Sequence, residues 1–199
     1  MAQSPAHKFG QIIGDLIEDA VKPLLQTFAD KYDLYLDSKG YRPARKTNKV
    51  TWIDLFGNKH DLDFVLERGG TLTRAGEPIA FIESAWRRYT KHSKNKAQEI
   101  EGAVLPLVTT YHRLAPFVGA ILAGEFTAAS ITQLRSRGFT VLHFSYISLV
   151  NAFNVAGIDA SFGEKTSDQE FRQKINAWNA LSLEQKAVVA DKLTELNSG

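Results

Sequence analysis

The chain has 199 residues, with 24 Lys and Arg against 22 Asp and Glu for a formal net charge of +2, and it contains no cysteine. That length supports one domain with a core of its own, and the lack of thiols excludes a disulfide scaffold, thiolate zinc sites and thiol catalysis. No apolar run is long enough to cross a bilayer and the start, MAQSPAHKFG, lacks the pattern of a secretory leader, so the expectation is a cytoplasmic protein with no membrane partner.

From residue 8 to 31 the apolar positions Phe9, Ile13, Leu16, Ile17, Ala20, Leu24 and Phe28 recur at helical spacing. This predicts a long amphipathic helix, with Pro23 implying a kink or two successive helices. Glu18 falls opposite the apolar stripe and reads as a surface residue. Residues 33–49 carry loop signals and a first cluster of cations, Lys39, Arg42, Arg45, Lys46 and Lys49, interleaved with Tyr35 and Tyr41. Such a loop can hold a nucleic-acid backbone or serve as a solvated connector, and both readings stand.

Residues 50–56 (VTWIDLF) form a β-branched and aromatic run ended by Gly57 and Asn58, which read as a hairpin turn. Residues 60–67 (HDLDFVLE) then pair with it, and residues 78–86 (PIAFIESAW) complete a three-strand meander. After Trp86 the period changes to helical. Ser93 is a candidate N-cap, and Ala97, Ile100, Val104, Val108 and Tyr111 form one stripe, with Pro106 as a bend or break. Residues 117–123 (FVGAILA) suit a central strand buried on both faces. Thr127 caps a helix ended by Gly138, and residues 140–146 make a further strand. The remainder is helical: residues 147–156 first, then two capping boxes, Ser167 with Glu170 and Ser182 with Gln185.

Strands that bury a face rarely carry carboxylates, yet Asp63 opens the run Phe64, Val65, Leu66, and Glu83 ends the run Ile79, Ala80, Phe81, Ile82. The second cation cluster follows at once: Arg87, Arg88, Lys91, Lys94 and Lys96. Two acids at the edges of neighbouring strands, beside cations, describe a divalent-metal site facing a polyanion. A single basic run is ordinarily a solvated face. Two on one small domain point toward phosphate. The competing reading makes Asp63 and Glu83 plain strand-end carboxylates paired to Arg87 or Arg88. Asp61 is a supporting ligand or a solvated edge residue. No histidine pair has metal-ligand spacing, His143 reads as a core residue, and His60 and His92 as surface residues or phosphate contacts. Neither a serine triad nor a phosphate-binding glycine loop is present.

The order helix, three-strand meander, helix, strand, helix, strand, with an aspartate opening the second strand and a glutamate ending the third, resembles the restriction-endonuclease-like, PD-(D/E)xK nuclease superfamily. Leu62-Asp63 stands where the family has Pro-Asp, and Glu83 where it has its second acid. The resemblance implies an α/β fold with a restriction-endonuclease-like mixed β-sheet core in αβββαβαβ order. It implies one domain over residues 1–199, with a nuclease-like core at 8–146 and a C-terminal helical extension at 147–199. It further implies a metal-dependent endonuclease hydrolysing phosphodiester bonds of duplex DNA, restriction-type enzymes among them, acting as a homodimer. Asp63 and Glu83 would be catalytic and would hold Mg²⁺ or Mn²⁺. Arg87, Arg88, Lys91 and Lys96 would contact nucleic acid.

The chain departs from the pattern at Ala85, where the family has lysine. A lysine migrated to a neighbouring element is the substitute, with Lys94 placed first and Lys91, Lys96 or Arg87 after it. Ala85 also favours a second class of reading, the same fold with a dismantled site that binds nucleic acid or a protein partner without cutting. In a third, the C-terminal helices bind a partner and the acids are incidental.

Overall fold

A computed structural model describes residues 4–197; residues 1–3, part of the stretch examined for a leader, and residues 198–199 lie outside the described residues. Six α-helices and seven strands follow one another as α1 (Pro5–Lys31), β1 (Leu34–Ser38), β2 (Val50–Ile53), β3 (Lys59–Leu62), β4 (Phe64–Arg68), β5 (Glu77–Arg87), α2 (Ser93–Thr110), β6 (Phe117–Gly124), α3 (Ala128–Ser136), β7 (Thr140–Phe144), α4 (Tyr146–Asn154), α5 (Asp168–Ala180) and α6 (Leu183–Glu195). Among the described residues no helix is long and apolar enough to cross a membrane.

Five strands form one mixed sheet in the order β1-β4-β5-β6-β7, antiparallel from β1 through β5 and parallel from β5 to β7. Alternation along each strand divides the core into two layers. Phe64, Leu66, Ala80, Ile82 and Ile121 face α1, α4, α5 and α6, whereas Val65, Phe81, Ala85, Ala120 and Leu122 face α2, α3 and the β2–β3 hairpin. Strand β6 is buried along nearly its whole length, as its unbroken apolar run requires when helices cover both faces.

The meander differs from the expected one. Its first strand is β1, from the segment expected to be loop, and β2 with β3 forms a separate two-stranded hairpin lying on the α2 layer. Residues 60–67 are accordingly two strands broken at Asp63, because the chain leaves the hairpin there and enters the main sheet. The burial pattern records the change: β3 alternates, and β4 is buried at four successive positions.

Burial of Asp37 in β1 depends on residues far along the chain. Arg42 is 3% exposed and bridges Asp37, 3% exposed, to Glu67, which is fully buried. Arg45 closes on Asp37 from the other side and donates to the carbonyls of Ser38 and Gly40. Burial opposes the charge on Arg42, but hydrogen bonds to Glu67 and Asp37 outweigh it and hold the guanidinium above its usual range. Two cations of the first basic cluster, Arg42 and Arg45, are therefore structural clamps, and Lys39, Lys46 and Lys49 are its exposed members.

Helix α1 runs unbroken through Pro23 and α2 through Pro106, so neither proline divides its segment into two helices. Proline frees the carbonyl four residues earlier, which belongs to Asp19 in one case and Gly102 in the other. Both residues are exposed, so water can satisfy the freed group. Ser93 is the first residue of α2 rather than its cap, and a short 3-10 turn, Thr90–His92, leads into it. The caps at Thr127, Ser167 and Ser182 are as expected, the last two as complete capping boxes.

A candidate metal and phosphate site

Strands β4 and β5 pair with Phe64 opposite Ile82, which sets Asp63 and Glu83 as the next facing positions at that end of the sheet. Asp63 lies outside any strand, at the break between β3 and β4, and its carboxylate takes over where the backbone ladder stops. The N–H and the hydroxyl of Ser84 both donate to Asp63 Oδ2, each at 2.7 Å. Glu83 projects into the α2 layer by strand alternation, between the small side chains of Ala85 on its own strand and Ala120 across the parallel pair.

Glu83 Oε1 is the sole buried side-chain oxygen or nitrogen among the described residues with no hydrogen-bond partner. Burial, then the negative charge of Asp63, push the Glu83 carboxyl up to about 8; Lys96 and the Asp63 backbone N–H act the other way, and Glu18 adds to the rise. The Glu18 carboxyl is likewise pushed up to about 7, by burial first and then by Asp63. The charges of Glu18, Asp63 and Glu83 thus act on one another, and of the three Glu18 lines a cavity of about 260 Å³. Asp15, Glu18, Asp19, Lys22, Ser38 and Lys39 line that cavity. Lys39 is paired to Asp15 at 3.3 Å and also acts on Glu18 and Asp63.

Lys96, in the first turn of α2, is the lysine whose charge acts on Glu83. Its ammonium lies 3.1 Å from Glu99, whose Oε2 is also 3.7 Å from Arg87. Lys94, placed first in the sequence analysis, is exposed and is not among the main charges acting on Glu83. Lys96 is half-buried and shares Glu99 with Arg87 of β5, so the helix turns Lys96 rather than the exposed Lys94 toward that strand. Ala85 is buried in the same cluster as Ala97 and Ile100, so a lysine at 85 would be driven into α2.

The other expected contacts divide. Arg87 is half-buried and shares Glu99 with Lys96, which keeps it at the site's edge, whereas Lys91 is exposed on the 3-10 turn beside Tyr89 and Glu164. Arg88 is turned elsewhere: its guanidinium stacks 3.9 Å over Tyr146 and donates to the Phe162 carbonyl at 2.8 Å, tying the end of β5 to the helical extension. Asp61 lies on the exposed hairpin edge, bonded to Lys49 and Thr51 at 2.6 Å each, and has no part in the site. His60 is held by Asp54 and His143 by the Gly124 carbonyl, both in structural roles. Glu18 is the residue that pattern alone assigned to the surface; it is half-buried because it flanks the stripe on the side where α1 crosses Ser38.

Among the described residues no three His, Cys, Asp or Glu side chains converge closely enough to hold a metal as a set. The donors on offer are a pair of carboxylates, one with a sealed and unpartnered oxygen. This suits a hard ion such as Mg²⁺, which is ordinarily bound through one or two carboxylates and keeps several waters.

Glu18 and Glu83 make stability depend on pH with a definite sign. Unfolded, both titrate near 4.5; folded, they titrate near 7 and 8, so across that interval the native state keeps protons that the unfolded chain has shed. Stability of the metal-free protein is expected to fall as pH rises from about 4.5 and to level off above about 8. Thermal melts in EDTA across this range check it, with Glu83→Gln expected to flatten the slope. An unchanged slope in that variant would be contrary.

No protein-family model matches the chain, and no curated protein does. A solved structure named "Protein of Unknown Function AF1548" is similar with a TM-score of 0.41 and 11% identity, covering 92% of this chain and 99% of its own.

Proposed function

We propose that the chain is a metal-dependent DNA endonuclease of the restriction-endonuclease-like, PD-(D/E)xK type, hydrolysing phosphodiester bonds. The observation that carries this is the facing pair Asp63 and Glu83 with the partnerless Glu83 Oε1. The topology supports it. Strands β1, β4 and β5 make an antiparallel meander preceded by α1, and α2, β6, α3 and β7 follow with parallel strands, which is the αβββαβαβ order with the β2–β3 hairpin inserted.

Charge placement at α2 gives a second support. Lys91, His92, Lys94 and Lys96 crowd the N-terminal end of that helix, with no acid in its first turn. Cations there oppose the helix dipole, which favours negative charge at that end. Glu99 offsets Lys96, and a phosphodiester backbone is an anion that would offset the remaining cations at that helix end.

Asp63 and Glu83 would hold Mg²⁺ or Mn²⁺. When bound, such an ion lowers the pKa of a coordinated water and neutralises charge on the phosphoryl oxygens. Lys96 stands beside Glu83 to stabilise negative charge developing on the phosphate, and Glu99 keeps that ammonium and Arg87 on the same side of the site. Glu18 supplies further negative potential from α1. Duplex DNA with two-fold symmetry would engage two copies, one per strand.

A binding-only role is the second reading, favoured by Ala85 and by the absence of a third converging ligand among the described residues. Plasmid DNA separates the two: nicking or linearisation with Mg²⁺ or Mn²⁺ that EDTA stops is expected, whereas salt-sensitive retention without cutting would sustain the second reading instead. In the same assay Lys96→Ala is expected to lose about a hundredfold or more in rate, the scale of removing one charge-stabilising donor. Lys94→Ala should stay within a few-fold of the parent. The opposite order of the two would return the role to Lys94.

A further inference from the structure

Asp63 is held in an unusual way for a carboxylate at a strand break. The ladder between β4 and β5 ends at Phe64 and Ile82, and the chain before Asp63 belongs to the hairpin, so no backbone carbonyl of β4 remains to meet the N–H of Ser84. That N–H turns to the Asp63 side chain, and the Ser84 hydroxyl donates to the same Oδ2, both at 2.7 Å. Oδ1 accepts no hydrogen bond from the described residues. One residue thus occupies one oxygen twice and leaves the other available. By alternation along β5, Ser84 points away from Glu83, so it grips Asp63 from the α1 side while Glu83 faces the α2 side.

We propose that Ser84 is a positioning residue that fixes the Asp63 carboxylate with Oδ1 toward the divalent ion and thereby sets the affinity of the site for that ion. This rests on the metal reading given above. The physical ground is that a ligand held by its outer partners loses little orientational freedom on binding, and that removing such partners ordinarily weakens metal binding by about 10–100-fold. The serine's place between Glu83 and Ala85 makes it part of the same strand end that presents the second carboxylate, so one short segment presents one ligand and orients the other.

The test is a titration of the purified full chain with Mn²⁺, following free Mn²⁺ by electron paramagnetic resonance, with no DNA present. Ser84→Ala keeps the backbone N–H and loses the hydroxyl, and its Kd for Mn²⁺ is expected to rise at least about tenfold. Its metal-free melting temperature should stay close to the parent's, and Ser84→Thr, which restores a hydroxyl, should recover the parent Kd. A Kd within twofold of the parent in Ser84→Ala overturns the assignment while the metal reading stands. Weakened binding accompanied by a large fall in metal-free melting temperature, with no recovery in Ser84→Thr, overturns it in favour of a purely structural bond. Failure of the parent protein itself to bind Mn²⁺ overturns the metal reading and the proposal with it.

Discussion

Asp63→Ala and Glu83→Gln are each expected to reduce metal-dependent cleavage of plasmid DNA by about a thousandfold or more, with salt-sensitive DNA retention preserved. A bound divalent ion contributes several kcal/mol of transition-state charge stabilisation, and each 1.36 kcal/mol is about tenfold in rate. Losing one of two protein ligands removes most of that. Glu83→Gln is the sharper of the two substitutions because it preserves shape. The buried, partnerless Oε1 is followed by an amide that still fits between Ala85 and Ala120 but no longer attracts a cation. Retention of DNA should persist because Lys91, Lys96 and Arg87 are untouched. Turnover within tenfold of the parent in either variant would count against the pair as the metal ligands.

Arg42→Ala is expected to destabilise the folded chain by about 3–5 kcal/mol, the usual effect of breaking a buried ion pair from one side. Its guanidinium bonds Glu67 through two nitrogens, at 2.5 and 3.0 Å, reaches Asp37 at 2.9 Å and donates to the carbonyls of Thr71 and Arg74. It also stacks 4.1 Å over Tyr35. Removing it leaves the Glu67 carboxylate sealed from water with its charge uncompensated. Arg45 still holds Asp37, but Glu67 keeps, among the described residues, the N–H of Gly76 alone. Lysine is no substitute, because a single ammonium cannot span two carboxylates and two carbonyls. Urea denaturation measures the change through the midpoint at constant slope. A loss below about 1 kcal/mol would mean that water reaches the cluster and that the clamp is an ordinary surface pair.

Local chemistry made much of this fold legible. Ser167 with Glu170 and Ser182 with Gln185 announce two helix starts, and Thr127 with Gly138 brackets a third. These signals are complete within a few residues. Strand β1 was not legible, because LYLDS carries an acid at a position whose burial makes sense only once Arg42 and Arg45 fold back on it. The division of residues 60–67 was hidden for a related reason: nothing between Leu62 and Phe64 announces that one pairs with a hairpin and the other with the main sheet.

The site was legible in part. Asp63 and Glu83 stand out as acids at the edges of apolar runs, but Glu67 ends the run Phe64, Val65, Leu66 in the same way and is instead fully buried with an arginine fitted to it, a difference that only the fold reveals. Glu18 and Lys96 both lie beside an apolar stripe. Helical periodicity sorts buried from exposed but does not tell which flank of a helix looks into a cleft. Choosing Lys96 over Lys94 needs the position of α2 against β5, which is a tertiary fact.

The most direct test of the central claim is an anomalous-difference map from crystals of the full chain soaked in Mn²⁺ at pH 8. One peak bonded to an oxygen of Asp63 and an oxygen of Glu83 is the expected result. A peak that avoids both carboxylates, or no peak with Glu83 still sealed and alone, would contradict it.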